Sequence, residues 1–278
     1  MKTTNSSPLA VFDTGMGGLA LVKEIHAKHP GRDVHFFTDN GRFPYGVNPR
    51  ETAAKWLLQV AEFLKKRGVS EIILGCNTVT AMTEGLLPED SDMSIKGPII
   101  DTIQAVRDNL SDTALVIFAT NTTINSGAYQ RGLSDHQAGV APLEGNGLET
   151  VIESEGASGA KTIVAIEESV DRMKKEVDRR GVQVDELAIV LGCTHFVLAE
   201  QAIRDVLRDH HLGWKTFNPL PYVVQRMLQE KEDGNEDNKG GLTVFHTAPF
   251  NDAWWNRCLE FIPQDMLARP EHVLLNSK

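Results

Sequence analysis

Two stretches of this 278-residue chain end alike: IILGCNT at 72–78 and IVLGCTH at 189–195. In each, an apolar run stops at glycine, then cysteine, then small polar residues. Of three cysteines in the chain, Cys76 and Cys193 occupy these matched settings. A cysteine there can act as a nucleophile, a metal ligand or a proton-transfer base. Metal binding fits poorly, because the pair is 117 residues apart and the chain has neither CxxC nor HExxH, so no metal site is expected. A Cys–His acyl-transfer pair is a second reading: Cys193 and His195 stand two apart and would point the same way along one strand. That reading leaves Cys76 without a role. Two thiols facing one another across a cleft instead suit an acid on one side of a carbon and a base on the other, which inverts a stereocentre. A thiol pKa of about 8.5 can be moved by its neighbours, so one member can be thiolate while the other keeps its proton.

Other polar residues gather at the ends of apolar runs. Asp13 and Thr14 follow LAVF, Asp39 follows HFFT, Asn77 and Thr78 follow Cys76, Thr120 to Thr123 follow LVIFA, and Thr194 and His195 follow Cys193. In open parallel sheets ligands bind at the carboxyl ends of the strands. Any one of these residues could equally be a helix N-cap. Their joint placement is the functional signal. The glycines of DTGMGGL are spaced G-x-G-G, which fits neither nucleotide-binding loop. They predict a tight turn whose N–H groups hold a carboxylate.

The elements that must position these residues follow from the hydrophobic pattern. Strands are expected at 9–13, 33–39, 71–77, 97–101, 113–120, 186–194, 214–218 and 241–247. Amphipathic helices are expected at 20–30, 50–68, 160–181 and 196–211, with Ala54, Leu57, Leu58, Ala61 and Leu64 on one face of the second. Gly68 and Gly181 read as helix stops. Continuous apolar strands alternating with helices mean an α/β fold with a mainly parallel sheet covered on both faces. LAVFDTG resembles LVIFATN at 115–121, as IILGCNT resembles IVLGCTH, in the same order and at similar spacing. That suggests two similar units, each supplying one cysteine. The polar segment 229–241 reads as a solvated loop.

Composition bounds the rest. The length suggests two domains. At 41% hydrophobic and 24% charged, the chain is typical of a globular protein. Its apolar runs fall short of the roughly 18 residues that span a bilayer, and residues 1–12 lack the apolar core of a signal peptide. A cytoplasmic location is expected, with catalysis or packing rather than disulfides as the use of cysteine. A net charge of −10 and the lack of a basic stripe argue against nucleic-acid binding.

The motifs VFDTGMGGL (11–19), FPYG (43–46), GCNTVTA (75–81), TNTTINSGAY (120–129), LGCTH (191–195) and FHT (245–247) together resemble the cofactor-independent glutamate racemases of the aspartate/glutamate racemase superfamily. The resemblance implies two doubly wound, mainly parallel α/β domains with the active site in the cleft between them. The first would comprise residues 1–100 plus 217–278, the second 101–216. It implies Cys76 and Cys193 as the two catalytic thiols, Asp13 tuning Cys76, and His195 with Glu153 assisting Cys193, Glu149 being the alternative carboxylate. Thr14, Pro44, Tyr45, Gly46, Asn77, Thr78, Thr120, Thr123 and Thr194 would bind the substrate. The partner would be the small molecule glutamate, with no cofactor, no nucleic acid and no membrane; a homodimer is entertained as the assembly. D-Glutamate for peptidoglycan would be the product. The chain has DTG where the family usually has DSG, DNGRFPYG for DTARxPYG, and a divergent segment around APLEGNGLETVIESEG (141–156). Cys258 matches no catalytic position and reads as a core residue. Three other readings stand beside this one: a racemase or isomerase of another acidic amino acid or diacid, a binding protein on this scaffold, and a redox protein using the two thiols.

Overall fold

A computed structural model of the chain describes residues 8–88, 93–181, 187–228 and 240–275. In chain order the first half contains β1 (Leu9–Asp13), α1 (Leu19–Lys28), β2 (Val34–Thr38), α2 (Arg50–Lys65), β3 (Glu71–Leu74), α3 (Asn77–Thr83), β4 (Ser94–Lys96) and α4 (Pro98–Asn109). Next come β5 (Ala114–Ala119), α5 (Asn121–Asn125), α6 (Ala128–Gly132), β6 (Val140–Glu144), α7 (Leu148–Glu155), α8 (Ala160–Arg180) and β7 (Leu187–Leu191). The remainder is α9 (Thr194–Leu198), α10 (Glu200–Asp209), β8 (Lys215–Phe217), α11 (Leu220–Met227), β9 (Leu242–His246), α12 (Asp252–Leu259) and β10 (Ala268–His272). Among the described residues no helix is long and apolar enough to cross a membrane.

These strands form two sheets, ordered β10-β9-β2-β1-β3-β4 and β6-β5-β7-β8, and the pairings among the described residues are all parallel. The internal similarity in the sequence corresponds to a repeated order, since β2-β1-β3-β4 and β6-β5-β7-β8 are one topology used twice. The register repeats as well. Phe12 pairs with Leu74 and Phe118 with Leu191. One residue further on, the Gly75 N–H donates to the Phe12 carbonyl at 2.7 Å and the Gly192 N–H to the Phe118 carbonyl at 2.8 Å.

The central strands of each sheet are buried on both faces, which is why β1, β5 and β7 read as continuous apolar runs. In β1, Leu9 and Val11 face one hydrophobic cluster, while Ala10 and Phe12 face another built with α2. In β5, Val116 and Phe118 join the first cluster, whereas Leu115 and Ile117 pack with Ile99 and Val106 of α4. Along α2 the buried positions are Ala53, Ala54, Leu57, Val60, Ala61 and Leu64. Leu58 is 37% exposed, contrary to the expected face, because Val60 rather than Leu58 continues the row from Leu57.

Three sequence expectations fail locally. Residues 97–101 form no strand: Pro98 is the first residue of α4, where its fixed φ and missing N–H cost nothing. The strands at 71 and 187 stop at Leu74 and Leu191, so neither cysteine lies in a strand; each precedes a short helix. His195 therefore sits in the first turn of α9, not two places along a strand from Cys193. Gly181 does end α8, in the left-handed conformation at φ 61°. The expected polar loop at 229–241 lies outside the described residues except for Gly240 and Gly241.

Candidate active site

The carboxyl ends of β1 and β3 in one sheet, and of β5 and β7 in the other, converge on a cavity of ≈ 300 Å³. Cys76, at the head of α3, and Cys193, at the head of α9, both line it and both are buried. With them in the lining are Thr14, Pro44, Tyr45, Gly46, Thr78, Thr120, Thr194 and His195. Asn77 and Thr123 are not in the lining. The Asn77 Oδ1 accepts from the Tyr129 hydroxyl at 2.7 Å, and Thr123 is fully buried against Thr120. Phe43, Val47, Asn121, Thr122, Gly147, Glu149 and Thr150 complete the wall; of these Val47, Gly147 and Thr150 had no sequence signal. Larger grooves of ≈ 710 and ≈ 740 Å³ lie along α2 and beside α10, and neither contains a cysteine.

The glycine before each cysteine serves packing, not ligand access. A Cβ on Gly75 would lie 3.0 Å from the Gly18 Cα, and one on Gly192 3.0 Å from the Ala119 Cβ. Glycine lets each strand end pass its neighbour closely before the chain turns into the helix. The DTGMGG loop does hold carboxylates by its N–H groups, but they belong to the protein. Thr14 and Gly15 donate to the Asp13 Oδ1 at 2.6 and 3.3 Å, and Met16 donates to the Glu153 Oε2 at 2.8 Å. Gly17 is bare because a Cβ there would sit 2.5 Å from the His195 Nδ1 and 2.7 Å from the Thr194 Oγ1.

On one side of the cavity, Cys76 neighbours Asp13. Burial pushes the Cys76 thiol well above its ordinary value, and the adjacent Asp13 charge adds to this; Val79 and Thr14 hydrogen bonds oppose it. Burial likewise raises Asp13, against the opposing pull of His195 and of the Thr194 hydroxyl that donates to it at 3.0 Å. On the other side, burial raises Cys193 too, but here a hydrogen bond and the charge of His195 counteract it. His195 is the cation of the site. Burial pulls it down, yet its bonds to Cys193 and Glu153 outweigh that and hold it well above an ordinary imidazole. Its Nε2 lies 2.7 Å from the Glu153 Oε2. Glu153 stays below the usual carboxyl range: burial raises it, but His195, the Met16 N–H and the Trp254 Nε1–H, at 2.8 Å from Oε1, together overcome that. Glu153, not Glu149, is thus the carboxylate on His195. Trp254, 101 residues away in sequence, carried no signal.

Hydrogen bonds cross the cleft around the cavity. Thr78 meets Thr120 at 2.8 Å and Thr123 at 3.4 Å, and the Thr122 hydroxyl donates to the Gly46 carbonyl at 3.0 Å. Asp39 is structural. It takes the Tyr45 hydroxyl, the Arg42 guanidinium at 2.6 Å and the Thr247 hydroxyl at 2.6 Å, so the FHT segment anchors the FPYG loop. Cys258 is fully buried in the core. Among the described residues no group of three or more His, Cys, Asp or Glu side chains is placed to hold a metal ion.

The arrangement can hold a small molecule between two thiols whose surroundings differ in charge. Comparison with known proteins finds the same framework elsewhere. Glutamate racemases of Latilactobacillus sakei and Syntrophus aciditrophicus are 30% and 32% identical over 273 and 214 residues, spanning 95% and 74% of this chain and 92% and 74% of theirs. The crystal structure of glutamate racemase from Francisella tularensis in complex with D-glutamate matches with a TM-score of 0.77 at 26% identity, over 98% of this chain and 99% of that one. The Asp/Glu/Hydantoin racemase family model matches residues 20–219, and the chain belongs to that family of enzymes.

Proposed function

We propose that this protein interconverts L- and D-glutamate by proton transfer at Cα between Cys76 and Cys193. The observation that carries the proposal is the pair of buried cysteines at equivalent strand ends of two repeated sheets, lining one cavity. Cys193, whose thiolate the neighbouring His195 stabilises against the cost of burial, removes the α-proton from the enantiomer that presents it. Cys76, beside Asp13, keeps its proton and delivers it to the opposite face. For the other enantiomer the roles exchange. An α-proton between an ammonium and a carboxylate is weakly acidic, so the reaction needs a dry, preorganised site; Cys76, Cys193 and His195 are each less than 9% exposed. Threonine hydroxyls and backbone N–H groups are suited to hold the substrate carboxylates, Asn77 and Thr123 supporting them from behind. The two domains are taken as residues 1–100 with 217–278 and 101–216, cuts that fall within α4 (Pro98–Asn109) and β8 (Lys215–Phe217). Supply of D-glutamate to peptidoglycan in the cytoplasm is the role this activity would serve.

Incubation with D- or L-glutamate in D₂O, without added pyridoxal phosphate, tests the reading. Loss of optical activity with deuterium entering Cα is expected. No exchange with either enantiomer, by protein shown to be folded, would sink it. Cys76→Ser and Cys193→Ser should each lower racemisation by at least about 100-fold, the scale of a lost general acid or base. Retention of full racemisation by either variant would contradict a two-thiol mechanism.

A further inference from the structure

Helix α7 presents two carboxylates one turn apart, and only one of them is engaged. Glu153 has four polar contacts accounted for by Met16, His195, Trp254 and, through its carbonyl, Arg257. Glu149, a turn nearer the helix start, lines the cavity alongside the two cysteines, and its Oε2 is buried with no hydrogen-bond partner. Its position is fixed by a built turn. Asn121 and Asn146 exchange hydrogen bonds at 3.1 and 2.9 Å, and Gly147 takes φ 84° before the helix begins. Glu149 and Cys193 line the same cavity, and the Glu149 charge pushes the Cys193 thiol up.

A buried carboxylate oxygen without a partner costs free energy unless a cation or donor completes its site. The lining contains no Lys or Arg, and His195 is committed to Glu153. An amino acid brings a single cation, the α-ammonium, bonded to the very carbon that must lie between the thiols. We propose that Glu149 binds the substrate α-ammonium and so selects free α-amino acids over deaminated or N-acylated diacids. The inference rests on the racemase reading above and adds a specificity-determining residue to it. The lining hydroxyls of Thr14, Thr78 and Thr120 are left for the carboxylates.

Glutarate, the five-carbon diacid without an ammonium, separates this role from simple repulsion of anions. Dissociation constants for D-glutamate and glutarate, read by equilibrium dialysis on the wild type and on Glu149→Gln, give the answer independently of turnover. Expected is a loss of D-glutamate affinity of about 10-fold or more, with glutarate unchanged or bound more tightly, and a matching rise in KM. Glu149→Asp should recover part of that loss. Equal shifts for the two ligands, or an unchanged D-glutamate constant, would overturn the assignment while leaving the racemase reading intact. A wild type that binds D-glutamate selectively but never exchanges its α-proton would overturn the racemase reading alone. A wild type that binds neither ligand would overturn both.

Discussion

Glu153 is the residue on which the Cys193 half of the site turns. It holds His195 protonated, and His195 in turn lowers the cost of a thiolate at Cys193. Glu153→Gln keeps the shape and removes the charge. The His195 pKa falls once the Glu153 charge is gone, so the imidazolium is lost at a lower pH. The alkaline limb of the kcat/KM profile should move to lower pH, most for the enantiomer whose proton goes to Cys193. An unmoved limb would mean that Glu153 does not set the charge of His195. The same pair has a stability signature. His195 is raised from 6.5, so its contribution is complete below that value and is lost as pH rises through the folded-state pKa. Glu153 is lowered from 4.5, so its contribution is present above that value and is lost as pH falls through the folded-state pKa. The stability gap between the wild type and Glu153→Gln, read by urea denaturation, should therefore be widest between pH 4.5 and 6.5.

At the scale of elements, α12 reaches from the chain's last part to clamp α7. Asn251 caps α12 by accepting from the Trp254 N–H at 3.0 Å, and the Trp254 indole donates to Glu153 from that fixed turn. Trp254→Phe removes a hydrogen bond to a buried charge, so stability should fall by about 1.5–3 kcal/mol. A merely structural tryptophan would do no more. If Trp254 positions Glu153, kcat should also drop with KM little changed, and the alkaline limb should shift the same way as in Glu153→Gln, by less. Elements also explain what the sequence could and could not reveal. β1, β2, β5, β7 and β9 were legible because strands buried on both faces leave continuous apolar runs. β6 (VAPLE) and β10 (ARPEH) were not, because each is an edge strand that tolerates Pro142 or Pro270 and polar neighbours. The apolar run GPIID fits a strand or a buried helix equally well until Pro98 is read as a helix start. Within the site, the cysteines, Asp13 and His195 announce themselves at strand ends. Trp254 does not, since nothing local marks a tryptophan that acts 101 residues away.

At the scale of the whole molecule, one topology used twice brings two strand-end cysteines to one cavity, which exists only because both units contribute to it. Thr14, Cys76 and Thr78 come from the side of the six-stranded sheet, and Thr120, Glu149 and Cys193 from the side of the four-stranded one. Bonds across the cleft include Thr194 to Asp13, Met16 to Glu153, Trp254 to Glu153, Thr78 to Thr120 and Thr123, Thr122 to Gly46 and Tyr129 to Asn77. One apolar cluster also runs from Val11 and Phe36 of the first sheet to Phe118 and Leu191 of the second, so the units share a core as well as a site. A ligand bound across such a cleft stabilises both units at once. D-Glutamate at 100 times its dissociation constant should add about 2.7 kcal/mol, seen in a thermal scan as a several-degree rise of one cooperative transition. If unfolding splits into two transitions and ligand moves only one, the site is contained in a single unit and the shared-cleft architecture does not govern binding. If the single transition rises for D-glutamate in Cys76→Ser as in the wild type, while racemisation is lost, then binding across the cleft and chemistry at the thiols are separate contributions of the two-unit design.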